Sequence, residues 1–558
     1  MSIPERSSGA SILASVLLAI LMAMGGGARA CTHVIGPSPD AALIIEPSQV
    51  EGLRAGDTLC LMAGHYRQIL VRNIHGTSDS AILIRNHGGQ VTLANEAHYG
   101  IAFHNSSFIR LLGDGSSQYP YGIFIHGVAA GNGISVDRLS TNVEIAHVEI
   151  SNTGMSGIMV KTDPRCDDLS SVRDSFALHD TRIHHNHIHH TFNEGIYVGS
   201  SYYYPGFPLT CNGQDTLVLP HEMIGVSIHN NLIERTGRNA LQVSSAPVDC
   251  HIFNNTILED SQSGIQWHMN AIQVGGGSRC EVYNNRIING RGSGIHYFGR
   301  GPAKVFNNLI VNPGRSHHPE LPPNQSPVYG ILVKDIYTDT PDPLHILHNT
   351  IVNPRTEGIQ FDNVQMAGSL IQNNIVVNPG GFQYTGNSSF VNIACGETDA
   401  LVSHNYLSLL SEAIRFKDTL QHDYSLQNTS PVINAGTNAI PMGLDFDITG
   451  APRPFGPASD IGAYEYQGFP AFADESEKQR VRVFPNPVTS QFSMILPYQT
   501  GVIQSISLYD PAGRRVLFIR RVEDCLPGTI DISHLAGGLY YIRIEHGDEY
   551  TSGSLIKH

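Results

Sequence analysis

One six-residue frame recurs along the middle of this chain and leaves few folds open to it. It reads IHHNHI at 183, IHNNLI at 228, IFNNTI at 252, VYNNRI at 282, VFNNLI at 305, ILHNTI at 346, IQNNIV at 371 and VSHNYL at 402. The aligned asparagines are Asn186, Asn231, Asn255, Asn285, Asn308, Asn349, Asn374 and Asn405, with successive gaps of 45, 24, 30, 23, 41, 25 and 31. A floor near two dozen with a variable excess is what a fixed coil with loop insertions produces. A second pattern alternates with the first: GIAF at 100, GIMV at 157, GIYV at 195, GIHY at 294, GILV at 330 and GIQF at 358. Apolar alternation over so few residues predicts a strand. Each coil therefore holds at least two short strands, and stacked coils give parallel, in-register sheets about 4.8 Å apart. The asparagines are expected to stack, each amide donating to one neighbouring coil and accepting from the other, and to serve the turn through their tolerance of left-handed backbone. The fold class is all-β: a right-handed parallel β-helix followed by a small Ig-like β-sandwich.

Composition agrees. Charged residues are only 15% and glycines number 56, which suits short strands and tight turns. A net charge of −15 argues against a nucleic-acid partner, because phosphate binding needs clustered Lys and Arg. The start reads as an export signal over 1–30: Arg6, the apolar run ASILASVLLAILMAMGGG, then ARA before Cys31. Arg29 disfavours a lipoprotein cut at Cys31. Export permits disulfides, and no CxxC pair suggests a zinc ribbon among the eight cysteines. Cys250 and Cys280 each precede an aligned N-N turn, so stacking puts them within bridging distance. Cys31–Cys60 would pin the first coil and Cys166–Cys211 would tie two long loops.

The opening LRAGDTLCLMAGHYRQILVRNIHGTSDSAILIRNHGGQVTL and the close DYSLQNTSPVINAG…DFDITGAPRPFGPASDIGAYEY resemble the pectate-lyase-like β-helix superfamily, over about 31–466. A polar linker fills 467–480. The elements PNP, DPAGR and DISHLAGGLY across 481–558 then resemble the C-terminal sorting domain of the type IX secretion system. That resemblance implies passage through the outer membrane by the type IX machinery, removal of the tail at export, and a secreted or cell-surface location.

The third residue of each Gly-Ile-x-Val strand points outward, as does the residue two further on. This column is expected to hold Met159 and Lys161, Tyr197 and Gly199, His296 and Phe298, Leu332 and Lys334, Gln360 and Asp362, with Gln242 and Gln273 between. The insertions 162–182, 199–222, 299–303 and 334–344 all leave after this strand and would wall a groove. Extended grooves on solenoids suit extended polymers.

A lyase acting on uronates must neutralise a carboxylate, take the adjacent proton and protonate the leaving oxygen. Lys161, Arg165, Tyr197, His296 and Glu194 are the candidate catalytic residues, with Lys161 and Tyr197 the preferred pair. Tyr202, Tyr203, Tyr204, Phe207, Gln242, Gln273 and Lys334 are candidates for sugar contacts. Asp163, Asp167 and Asp168 could hold calcium, although no EF-hand spacing is present; no other cofactor is implied. The five histidines between His184 and His190 straddle the Asn186 turn, face different ways, and are expected to be turn and surface residues. The expected function is that of a secreted, monomeric polysaccharide lyase on an acidic glycan. A non-catalytic glycan binder or adhesin, or a glycoside hydrolase, is the alternative. The Asn-Thr-Asp, Asp-Asp and Gly-His-Gly set of the polygalacturonases is not reproduced.

Overall fold

The computed structural model describes residues 30–558 except 316–326, 335–341, 364–365, 383–387, 394–399, 439–442, 469–480, 485, 496–502, 512–513, 521–529 and 547–548. The expected export signal up to residue 29, most of the linker, Cys395, Cys525 and most of the 334–344 insertion lie outside the described residues.

Three columns of parallel strands wind through the chain. Two, joined in a 23-stranded sheet, meet at the asparagine turn, as in Ala177–His184 followed by His187–His189. The third is a 12-stranded sheet in which Ile158–Val160, Ile196–Val198, Leu241–Val243, Asn270–Val274 and Ser293–Tyr297 are successive rungs. Inward residues of all three columns, such as Ile183, Ile188, Ile196 and Ile233, are fully buried and form one continuous apolar core. Burial of each such side chain is worth roughly 1.5–3 kcal/mol relative to exposure.

The glycine of Gly-Ile-x-Val is set by close approach. A Cβ on Gly157 would lie 2.5 Å from the Ile188 side chain and 2.6 Å from the Gly195 carbonyl; one on Gly195 would lie 2.6 Å from the Ala240 carbonyl.

The asparagine ladder is continuous. Each Nδ2 donates to the Oδ1 of the next coil at 2.9–3.0 Å, from Asn186 through Asn231, Asn255, Asn285, Asn308, Asn349 and Asn374 to Asn405. The same Oδ1 also accepts the preceding asparagine's backbone N–H, as at Asn231 onto Asn255 (3.1 Å). From Asn186 to Asn374 these amides are buried without losing partners, so the expected burial cost is offset. One expectation is corrected. The left-handed residue of the turn is not the ladder asparagine but the one before it: His185, Asn230, Asn254, Asn284, Asn307, His348, Asn373 and His404 all have φ of 53–58°. The ladder residue needs its amide aimed along the stack, so the residue before it takes the left-handed kink, where Asn and His are tolerated.

All three expected disulfides are present, with Cα–Cα distances of 5.6 Å (Cys31–Cys60), 5.5 Å (Cys166–Cys211) and 4.4 Å (Cys250–Cys280). Cys250 and Cys280 are register partners on adjacent rungs.

The last coil strands are Leu401–Ser403 and Tyr406–Ser408. Beyond them Phe416, Tyr424, Val432, Ile461 and Tyr464 pack on Leu309, Val311, Val352 and Val377, covering the outside of the second column. In the tail, antiparallel strands Arg515–Arg520, Ile503–Tyr509, Gly538–His546 and Glu549–Lys557 form one sheet and Arg482–Phe484, Gln491–Ile495 and Ile530–Asp531 another. Phe492, Ile506, Ile542 and Leu555 are in their shared core.

Candidate functional site

The outward position of the third column is one line of register partners: Ser135, Met159, Tyr197, Gln242, Gln273, His296, Leu332, Gln360 and Asn392. The expected column is therefore present, with both glutamines in it.

Lys161 and Tyr197 come together. The Lys161 Nζ lies 5.1 Å from the centre of the Tyr197 ring and 2.7 Å from Asp163 Oδ2. Burial works to lower the Lys161 ammonium, but Asp163, Tyr197, and Glu194 further off outweigh it and leave it above the ordinary lysine value. The group is a fixed cation, not a base. The Tyr197 hydroxyl is 2.9 Å from Ser201 Oγ, which in turn accepts from Gln242 Nε2 (2.7 Å). Asn239 Nδ2 donates to Gln242 and Gln273 (3.0 and 3.1 Å), and Asn270 Nδ2 to Gln273 (3.0 Å). A carboxamide network therefore runs along the column from Tyr197.

Glu194 is buried behind the column. Ser156 Oγ donates to its Oε2 (3.0 Å), and Arg238 and His268 stand 3.8 and 3.7 Å from its Oε1. Arg238 and His268 escaped the sequence reading, as did the neighbouring Trp267, the chain's single tryptophan, which is 75% exposed. Their signal was the repeated N-A-[LI]-Q-V of 239–243 and 270–274, whose preceding residues mark this edge of the sheet.

Other candidates fall differently. Burial pulls the His296 imidazole down to about 3, Lys334 adding to it, so the ring is neutral at ordinary pH and cannot serve as a proton donor. Its buried Nε2 has no hydrogen-bond partner among the described residues. Lys334 is exposed, beside Asp362 in register. Arg165 is an exposed loop residue paired with Asp167 (2.8 Å). Tyr203 is a wall residue, not a sugar platform: it is buried, its hydroxyl donates to Glu222 (2.7 Å), and the Arg173 guanidinium lies 3.8 Å over its ring. Tyr204 packs edge-on to Tyr203, while Tyr202, set against Phe207 at 5.2 Å, is 44% exposed. The two insertions lock to each other because Arg173 also donates to the Tyr203 carbonyl (3.0 Å), Val172 bridges Pro220, and Cys166 is bonded to Cys211.

The acidic loop does not gather. Asp163 is spent on Lys161, Asp167 on Arg165, and Asp168 accepts from the Ser170 backbone (3.0 Å) and hydroxyl (2.5 Å). Among the described residues these three carboxylates do not form a set whose ligand atoms all lie within 4.8 Å of one another. Two clefts lie away from the column: one of about 280 Å³ lined by Arg110, Glu144 and Arg182, and one of about 690 Å³ lined by Arg286, Lys417, Asp423 and Tyr464. Neither touches Lys161 or Tyr197.

This geometry defines a solenoid with a polar strip along one sheet, and comparison with known proteins agrees on the class. Residues 215–396 match the family described as right handed beta helix region, and residues 482–558 match the secretion system C-terminal sorting domain. The chain is a right-handed parallel β-helix protein with a type IX sorting domain, which marks it for export and for release or attachment at the cell surface. No curated protein matches the sequence. Among solved structures it resembles an alginate lyase from Paenibacillus sp. str. FPU-7 (17% identity, TM-score 0.35, 66% of this chain and 100% of that one). It also resembles pectate lyase Pel9A (11%, 0.36, 77% and 97%) and a GH136 lacto-N-biosidase from Eubacterium ramulus (10%, 0.43, 72% and 70%).

Proposed function

We propose that the protein is an exported polysaccharide lyase that cleaves a uronate-containing glycan by β-elimination on the strip centred at Lys161 and Tyr197. The observation that carries this reading is the held cation: a lysine kept protonated beside a phenol on the outward face of adjacent rungs. The substrate carboxylate would displace Asp163 from Lys161, and its neutralised charge would make the adjacent C–H acidic. Tyr197, linked to Ser201, is placed to move the proton. As the C–H bond breaks, the carbon–carbon double bond forms and the glycosidic C–O bond opens, the leaving oxygen taking up a proton. Buried Gln242 and Gln273 would stiffen the sheet beneath the site, and exposed Tyr202 would border the sugars. We divide the chain into a leader (1–30), the β-helix unit (31–466), a linker (467–480) and the sorting tail (481–558), and expect the mature protein to act as a monomer.

The test is incubation of the mature protein with alginate, pectate and chondroitin, with calcium or with chelator, following the ultraviolet absorbance of unsaturated uronates. Lys161→Ala and Tyr197→Phe should each lower the rate at least a hundredfold while the fold is retained. Undiminished absorbance in both variants sinks the site. New reducing ends without absorbance would point to hydrolysis. A second reading, non-catalytic glycan binding, draws on the exposed aromatic rings of Tyr202 and Trp267 at the edges of this sheet. It predicts retention on a glycan column with no turnover.

A further inference from the structure

The histidine run resolves into three kinds of position. His185 and His190 are left-handed turn residues, both with φ of 54°. His184 heads an external ring stack that continues through His229, Phe253, Tyr283 and Phe306 at 4.6–4.9 Å. His187 and His189 remain. They flank buried Ile188 on the strand His187–His189, so period two turns both imidazoles outward, with ring centres 4.4 Å apart.

The neighbouring rungs supply carboxylates. Glu149 is the register partner of His187 on one side, and Glu234 that of His189 on the other. Each reaches diagonally: Glu149 Oε1 is 3.3 Å from His189 Nε2, and Glu234 Oε2 is 2.6 Å from His187 Nε2. One donor atom from each of Glu149, His187 and His189 lies within 4.8 Å of the other two. Their side chains are 19–26% exposed, open enough for an ion to reach and covered enough to be held.

We propose that Glu149, His187 and His189 form a binding site for a divalent transition-metal ion of the zinc class, with Glu234 holding the His187 ring. Two imidazoles and a carboxylate suit zinc, nickel or copper; calcium takes oxygen donors alone. A zinc ion with bonds of about 2.0–2.1 Å needs donors roughly 3.4 Å apart, so small rotations of these side chains close the set. His189 Nδ1 lies 2.9 Å from His190 Nδ1, a contact that fixes this ring and leaves Nε2 for the ion. Glu149 and the two histidines come from consecutive coils, so the ion would staple one coil to the next. The face belongs to the second column, not to the sheet carrying Lys161 and Tyr197, and the site stands whether or not the lyase reading does.

The test uses the full chain stripped of metal. Titration with zinc chloride by calorimetry, and with cobalt(II) by visible absorption, should show one tight equivalent per chain and a cobalt band of low-coordinate type. His187→Ala/His189→Ala should weaken that equivalent at least tenfold, and Glu149→Gln, which alters charge and not shape, should weaken it too. His184→Ala, on the neighbouring stack, should leave it unchanged, and calcium should not compete. The proposal is overturned if the double variant binds zinc as the wild type does, if the wild type binds none, or if calcium displaces the ion.

Discussion

Replacing Asn255 by alanine cuts the ladder at its middle. In the native chain Asn255 Oδ1 accepts the Asn231 backbone N–H (3.1 Å) and Asn231 Nδ2 (3.0 Å), while its own Nδ2 donates to Asn285 Oδ1 (3.0 Å) and the Ile228 carbonyl (2.9 Å). Alanine keeps the backbone donation of residue 255 to Asn285 (3.1 Å), and Asn231 Nδ2 keeps its bond to Ile183 (2.9 Å). What is lost outright is the partner of the buried Asn231 N–H, together with one Nδ2 proton of Asn231 and one bond to Ile228. Two to three buried groups left unpaired at about 1–3 kcal/mol each give roughly 2–9 kcal/mol. The same change at Asn405, where the ladder ends, strips the equivalent partners from buried Asn374, whose N–H and Nδ2 it accepts (2.9 Å each), and should cost a comparable amount. Urea unfolding compares the two, and hydrogen exchange at the Asn231 amide reads the local effect directly. Losses under about 1 kcal/mol at both positions, or unchanged protection at Asn231, would refute the ladder as a source of stability.

Two further outcomes follow from other parts of the fold. Removing both Cys250 and Cys280 as serines frees a 30-residue loop in the unfolded chain and should cost about 3–4 kcal/mol by loop entropy, read as a lowered Tm; no change would mean the stacked rungs already fix that register. Asp260 is fully buried, and desolvation pushes its carboxyl up to about 6. Its folded value exceeds the unfolded one, so its ionisation removes stability as pH rises from about 4 through 6. Asp260→Asn should flatten that window and raise stability at pH 7 by on the order of 1–3 kcal/mol in pH-dependent melts.

The solenoid was legible because every coil repeats the same demands. Eight asparagines, the Gly-Ile strands and Cys250–Cys280 each announce one height in the stack, and the structure places them there. The outward column followed from period two alone, and so did the meeting of Lys161 with Tyr197. The insertions obey no such period. Nothing in SSYYYPGF says that Tyr203 turns in toward Arg173 and Glu222 while Tyr202 stays out, since that depends on how two loops fold on each other. Asp167 and Asp168 read as possible ligands because sequence shows proximity and not the partners that claim them. His187 and His189 were hidden for the opposite reason: their carboxylates lie 38 and 45 positions away, a distance that only the stack abolishes.

Adjacent ladder asparagines are 45 positions apart at one step and 23 at another, yet the amide contact is the same 3.0 Å in both. The scaffold is therefore indifferent to what is spliced between its fixed points. Lineages of such a chain can lengthen, trim or exchange the segments bordering the strip without retuning the interior, so novelty in ligand preference can arise by changes of length alone.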